Sequence, residues 1–93
     1  MFKNNKIFIL GMARSGYEVA KLLLKRGNKV IINDKNTDQD KEHVDFLTKN
    51  GAEVILGSHP VDLITKDRDY VIKNPGIKDS HEIILRAKEL GIP

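Results

Sequence analysis

Residues 6–35, KIFILGMARSGYEVAKLLLKRGNKVIINDK, decide the fold. Ile7, Phe8, Ile9 and Leu10 form a short apolar run, which suits a strand buried on both faces of a sheet. The run breaks at Gly11. A helix is predicted over residues 14–26, because Tyr17, Ala20, Leu23 and Leu24 share one face while Glu18, Lys21 and Lys25 lie opposite. Lys25 and Arg26 complement the negative end of its dipole, and Gly27 supplies a left-handed stop. A second strand over residues 29–33 leads to Asp34.

The same grammar continues downstream. A helix is predicted over residues 38–50, with Val44 and Leu47 inward and Gly51 as its stop; a strand follows over residues 53–56. GSHP reads as a turn, and PVDLIT as one short helical turn opened by Pro60. A fourth strand occupies residues 69–73, NPGI turns the chain, and a last helix covers residues 80–90. Asp79 or Ser80 should cap that helix, Asp79 and Glu82 having capping-box spacing, with Ile83, Ile84, Ala87 and Leu90 buried. Alternating strands and helices imply right-handed parallel βαβ units, so the expected fold is an α/β, Rossmann-like doubly wound sheet of order 3-2-1-4. A helix ending in glycine two residues before a strand occurs in KRGNKVII and KNGAEVIL, and begins again in ELGIP. The third copy delivers no strand before Pro93, so a fifth strand is expected to be truncated and residues 1–93 to be the N-terminal domain of a longer chain.

Composition limits the function. The 93 residues have 40% apolar and 31% charged content, ordinary for a globular domain. The 16 basic and 13 acidic residues are interspersed, giving a net charge of +3 without the basic block of a nucleic-acid-binding face. No run of about 20 apolar residues suggests a membrane span, and the N-terminus lacks the pattern of a signal peptide. A cytoplasmic location without membrane association is therefore expected. There is no cysteine, which excludes disulfides and thiolate chemistry.

The loops carry the chemistry. Gly11 and Gly16 bracket the turn GMARSG between strand and helix, where the free amides and dipole of a helix N-terminus favour a phosphate. Ser15 adds a hydroxyl donor; Arg14 either adds charge or points into water. Ala13 stands where a dinucleotide site has its second glycine, so a ligand must lie further out. Asp34, 18 residues beyond Gly16, is placed to meet a ribose hydroxyl or a base N–H, or to cap backbone amides. Lys35 and Asn36 share its rim. Asn74, Pro75 and Gly76 follow the fourth strand, beside the first, at the switch point where such sheets bind ligands. His59 is read as a turn residue, and His43 and His81 as solvent-facing. No histidines have metal-ligand spacing, and no GxxxxGK[ST] loop is present.

Taken together, ILGMARSG, INDK, GSHP and IKNPGI resemble the N-terminal domain of the D-glutamate-adding Mur ligases, in order and over nearly the whole chain. The resemblance implies a three-domain, ATP-dependent ligase of peptidoglycan synthesis. Its first domain holds the UDP part of UDP-N-acetylmuramoyl-L-alanine, whose carboxyl is activated as an acyl phosphate before the amine of D-glutamate attacks. It implies that Arg14 and Ser15 meet the diphosphate, with Gly11, Ala13 and Gly16 in the same UDP-binding loop. Asp34, Lys35 and Asn36 would then form the uracil rim, with Asn74, Pro75 and Gly76 on the other side of the nucleotide. ATP and magnesium belong to the full-length enzyme; no catalytic or metal-binding residue is expected in these 93 residues, which alone should be inactive and monomeric. The competing readings are an NAD-binding domain of an oxidoreductase, which Asp34 favours and Ala13 disfavours, and a nucleotide-sensing regulatory module.

Overall fold

The computed structural model describes residues 4–58, 61–74, 77–78 and 80–93. Strands β1 (Lys6–Leu10), β2 (Lys29–Asp34), β3 (Glu53–Leu56) and β4 (Tyr70–Lys73) alternate with helices α1 (Arg14–Lys25), α2 (Lys41–Lys49) and α3 (Glu82–Glu89). A 3-10 turn, Val61–Leu63, stands between β3 and β4. All strands pair in parallel in the order β3-β2-β1-β4. The doubly wound α/β sheet expected from the sequence is the fold.

The sheet separates two cores. Ile7, Ile9, Val30 and Ile32 face α1 and α2, packing on Tyr17, Ala20, Leu23 and Leu47. Phe8, Leu10 and Ile31 face α3, packing on Ile64, Ile83, Ile84 and Ala87. Alternate residues of β1 thus enter opposite cores, and Ile7, Phe8 and Leu10 are completely buried. That is why the run carries no polar residue.

The recurring glycine pattern has one structural meaning. Gly27, Gly51 and Gly91 take positive φ, and the residue after each donates its N–H five residues back: Asn28 to Leu23, Ala52 to Leu47 and Ile92 to Ala87. This is the Schellman stop, and it buries Asn28, Ala52 and Ile92 as the chain turns toward the sheet. After the third stop, the Val71 N–H donates to the Pro93 carbonyl, 3.0 Å away, on the outer edge of β4.

Five local expectations are corrected. Helix α2 starts at Lys41, because Asp40 caps it by accepting from Glu42 and His43 N–H, and residues 38–39 remain in the loop. Helix α3 is capped by His81, whose Nδ1 accepts from Ile83 N–H at 3.1 Å; Ser80 is not the cap, and Asp79 lies outside the described residues. His43 does not face solvent: its ring stacks on Tyr17 with centroids 3.7 Å apart. Strand β2 extends to Asp34, and β4 begins at Tyr70 because the Asp69 carboxylate instead accepts from Lys6 N–H at 2.7 Å. The predicted helical turn is present at Val61–Leu63, while Pro60 and His59 lie outside the described residues.

Candidate functional site

The loops leaving the carboxyl ends of β1, β2 and β4 surround a cleft of about 520 Å³. Leu10, Gly11, Ala13, Asn33, Asp34 and Lys35 line it from the β1–β2 side, and Asn74, Ile77 and His81 from the β4–α3 side. The cleft lies where the chain's crossovers diverge, α1 on one face of the sheet and α3 on the other. That divergence opens a crevice beyond the strands.

The β1 loop is tightly built. Gly11 takes φ +105°, and its N–H donates to the Asn33 carbonyl at 2.7 Å. Gly16, one turn into α1, lies against it: a Cβ there would sit 2.3 Å from the Gly11 carbonyl oxygen. Gly11 therefore turns the chain, and Gly16 lets the helix close onto that turn. Ala13 has extended backbone (φ −70°, ψ 173°) and is the N-cap of α1, but an alanine offers no side-chain acceptor. The first-turn amides of Arg14, Ser15 and Gly16 precede the first intrahelical bond, Tyr17 N–H to the Ala13 carbonyl. The methyl of Ala13 is exposed at the cleft.

Asp34 ties this loop to β2. One carboxylate oxygen accepts from Met12 N–H at 2.8 Å and the other from Asn36 N–H at 2.9 Å. It therefore caps backbone amides, one of the roles open to it from sequence. A carboxylate has about four acceptor positions, so two amides leave capacity for a ligand donor. Asn36 is turned to its own loop, its side-chain oxygen accepting from Asp38 N–H at 2.9 Å. Across the cleft, the Ser15 hydroxyl donates to Asn74 Oδ1 at 2.8 Å. Asn74 N–H donates to the Leu10 carbonyl, and the Asn74 carbonyl accepts from Ile77 N–H.

The structure thus brings Gly11, Ala13, Asp34, Lys35 and Asn74 to one cleft, with Ser15 bonded at its edge and Gly16 directly behind Gly11. Arg14 and Asn36 are exposed and do not line it. Pro75 and Gly76 lie outside the described residues. Four lining residues were missed, the apolar Leu10 and Ile77 and the polar Asn33 and His81. Asn33 is completely buried, and its Nδ2 donates to the carbonyls of Ile55 (2.8 Å) and Ser58 (2.6 Å), fastening the loop after β3. Its signal was a polar residue ending an apolar strand. His81 gave no comparable signal, because histidine is an uncommon helix cap. Among the described residues, no group of three His, Cys, Asp or Glu could hold a metal ion, and no helix is long and apolar enough to cross a membrane.

Residues 5–93 match the family model described as Mur ligase MurD-like, N-terminal domain. The chain belongs to this MurD-like N-terminal domain family. Similar curated relatives of the MurD-like domain are UDP-N-acetylmuramoylalanine–D-glutamate ligases. That of Enterococcus hirae is 42% identical over 91 residues, covering 98% of this chain and 20% of the relative. That of Streptococcus pyogenes serotype M49 is 44% identical over 92 residues, covering 99% and 20%. The chain thus spans about a fifth of the length of these relatives. A solved protein from Pyrococcus horikoshii OT3 superposes with a TM-score of 0.63 at 24% identity, over 95% of this chain and 25% of that one, which supports the fold alone.

Proposed function

We propose that this MurD-like domain, residues 1–93, is the UDP-substrate-binding part of a ligase that adds D-glutamate to UDP-N-acetylmuramoyl-L-alanine. The observation that carries the reading is the switch-point cleft itself. It has an acidic rim at Asp34, an amide-bearing helix start beside Gly11, and apolar lining from Leu10 and Ile77. Such a cleft offers a partly apolar bed for a base and an electropositive helix end for phosphates. The diphosphate lies over Gly11 to Gly16, with Ala13 setting how closely it approaches. Asp34 accepts from the uracil or ribose, Lys35 and Asn36 border it, and Asn74, Pro75 and Gly76 flank the opposite side. Because Arg14 and Asn36 do not line the cleft, their part is through backbone amides or longer-range charge.

In this reading, ATP and magnesium serve the longer ligase, where an acyl phosphate precedes amide-bond formation. The residues present here do not fit that cofactor pair: the sequence has no GxxxxGK[ST] loop, and no metal cluster occurs among the described residues. The chain by itself is a monomeric binding module without ligase activity. Its place is the cytoplasm, its partners the UDP-linked substrate and the remaining domains of the same ligase, with no nucleic acid or membrane involved.

Calorimetric titration with UDP and with NAD tests the assignment. UDP should bind, NAD should bind weakly or not at all, and Asp34→Ala should abolish the UDP signal. Preferential binding of NAD would overturn the reading in favour of an oxidoreductase domain.

A further inference from the structure

The three glycine stops share a backbone and differ in one chemical respect. The residues before them, Arg26, Asn50 and Leu90, hold nearly the same conformation, with φ −88°, −93° and −90° and ψ 8°, 12° and −1°. Of these, Asn50 alone carries a side-chain amide, and Gly51 follows it. The Cγ of an asparagine can be attacked by the backbone nitrogen of the next residue. Glycine hinders that approach least, because it has no Cβ.

The pairing is peculiar to one of the chain's seven asparagines. Asn28 and Asn33 are buried and are followed by Lys29 and Asp34, whose side chains crowd the attacking nitrogen. Asn74 precedes Pro75, whose nitrogen has no hydrogen to lose. By contrast, Lys49, Asn50 and Gly51 are all exposed, and a Cβ at Gly51 would meet nothing within 4 Å. Two bonds restrain the reaction in the folded chain. Asn50 Nδ2 donates to the Phe46 carbonyl at 2.8 Å, and Gly51 N–H donates to the Thr48 carbonyl at 3.1 Å. Both belong to the last turn of α2, and exposed terminal turns open at small cost in free energy.

We infer that Asn50 is a self-modification site, converted by the chain's own Gly51 nitrogen, and that the conversion loosens the junction between α2 and β3. When the last turn frays, the Gly51 nitrogen loses its proton and bonds to Asn50 Cγ. The Cγ–Nδ2 bond breaks, and the side-chain nitrogen takes up a proton and leaves as ammonia. The product is a cyclic succinimide. Water then opens the ring without any change of oxidation state. Attack at Cγ breaks its bond to the Gly51 nitrogen and gives aspartate. Attack at the backbone carbonyl carbon gives isoaspartate, in which the chain runs through the former side chain. Isoaspartate therefore adds a methylene to the backbone where Gly51 and Ala52 N–H reach back to Thr48 and Leu47 at 3.1 and 2.9 Å. The two bonds no longer fit together, which shifts the buried Ala52 and the start of β3 at Glu53. Aspartate keeps the backbone, but it loses the donor to Phe46 and sets a negative charge at the negative end of α2.

The test is to age the folded 93-residue chain in mildly alkaline buffer beside the same chain in urea. Peptide mapping scores aspartate and isoaspartate at every asparagine, and circular dichroism follows melting. Asn50 should convert first in the folded chain, about tenfold or more slowly than in urea, and the converted protein should melt below the fresh protein. Asn50→Gln, whose longer side chain forms the corresponding ring poorly, should keep its melting temperature over the same period. Asn50 left intact in the folded chain while it converts in urea would overturn the inference, because the last turn would then open only with the whole domain. Conversion of another asparagine ahead of Asn50 would overturn it too, as would converted protein that melts with the fresh protein.

Discussion

The two ends of the central β1–β4 pair solve the same problem in different ways. At the amino end, exposed groups satisfy one another: the Asp69 carboxylate accepts from Lys6 N–H, and the Lys6 ammonium pairs with Asp67 at 2.9 Å. At the carboxyl end, polar groups brace loops and leave capacity. Asp34 holds two amides, Asn74 holds Ser15, and the first turn of α1 has no side-chain cap. One end is closed, and the other keeps acceptor capacity on Asp34 and uncapped amides on α1. Changes at the carboxyl end should therefore alter binding as well as stability, and changes at the amino end stability alone.

The largest effect should come from Gly16→Ala. Its added methyl would meet the Gly11 carbonyl at 2.3 Å, and backbone must move to relieve it. We expect a loss of about 3 kcal/mol or more in urea denaturation, enough to unfold much of a small domain. A loss below about 1 kcal/mol would mean that the β1 loop is looser than this close approach requires.

Asp34 comes next. Asp34→Ala leaves Met12 and Asn36 amides without their acceptor and should cost about 1–3 kcal/mol along with UDP binding. Asp34→Asn keeps one acceptor oxygen and should retain more stability than binding. If both variants lose stability and binding in proportion, Asp34 is a brace and not a ligand contact.

The cap of α3 offers a smaller test. His81→Ala should cost about 1 kcal/mol, while His81→Asn, a better capping residue, should restore it. Both are measured by thermal melting. A loss in the asparagine variant equal to that in alanine would show that the ring's packing at the cleft, rather than its Nδ1, stabilises the helix.

How much of this was legible follows from the kinds of interaction involved. The sheet order was readable because β1 is apolar from Ile7 to Leu10 and because KRGN, KNGA and ELGI announce the same Schellman stop. The cleft was readable where local pattern sets the backbone: Gly11 after a strand, Gly16 in a helix, Asp34 at a strand end. What escaped depends on contacts distant in sequence. Asn33 fastens a loop 22 to 25 residues away, and Ser15 meets Asn74 across 59 residues. His81 escaped for a local reason, since its cap uses an imidazole nitrogen where Asp or Ser is the usual choice.

The smallest effect belongs to the amino end. The Asp67 carboxyl is lowered to about 2 by the Thr65 hydroxyl and then by Lys6. Because this folded value lies below that of the unfolded chain, its contribution is present above about pH 4 and lost as pH falls toward 2. The pair is exposed, so the contribution should be slight and screened by salt. Asp67→Asn should melt slightly below the parent at pH 5, and the difference should vanish near pH 2 or in about 1 M salt. UDP affinity should not change. A change there would break the division between the two ends.

The most direct measurement is an amide-shift titration of the isotope-labelled chain with UDP, run beside NAD. With a UDP site at the carboxyl end, UDP should move the amides of Gly11 to Gly16, Asp34 to Asn36 and Asn74 and leave Lys6 and Asp69 in place, and NAD should do little. Shifts centred on the amino end, or a response to NAD and none to UDP, would contradict it.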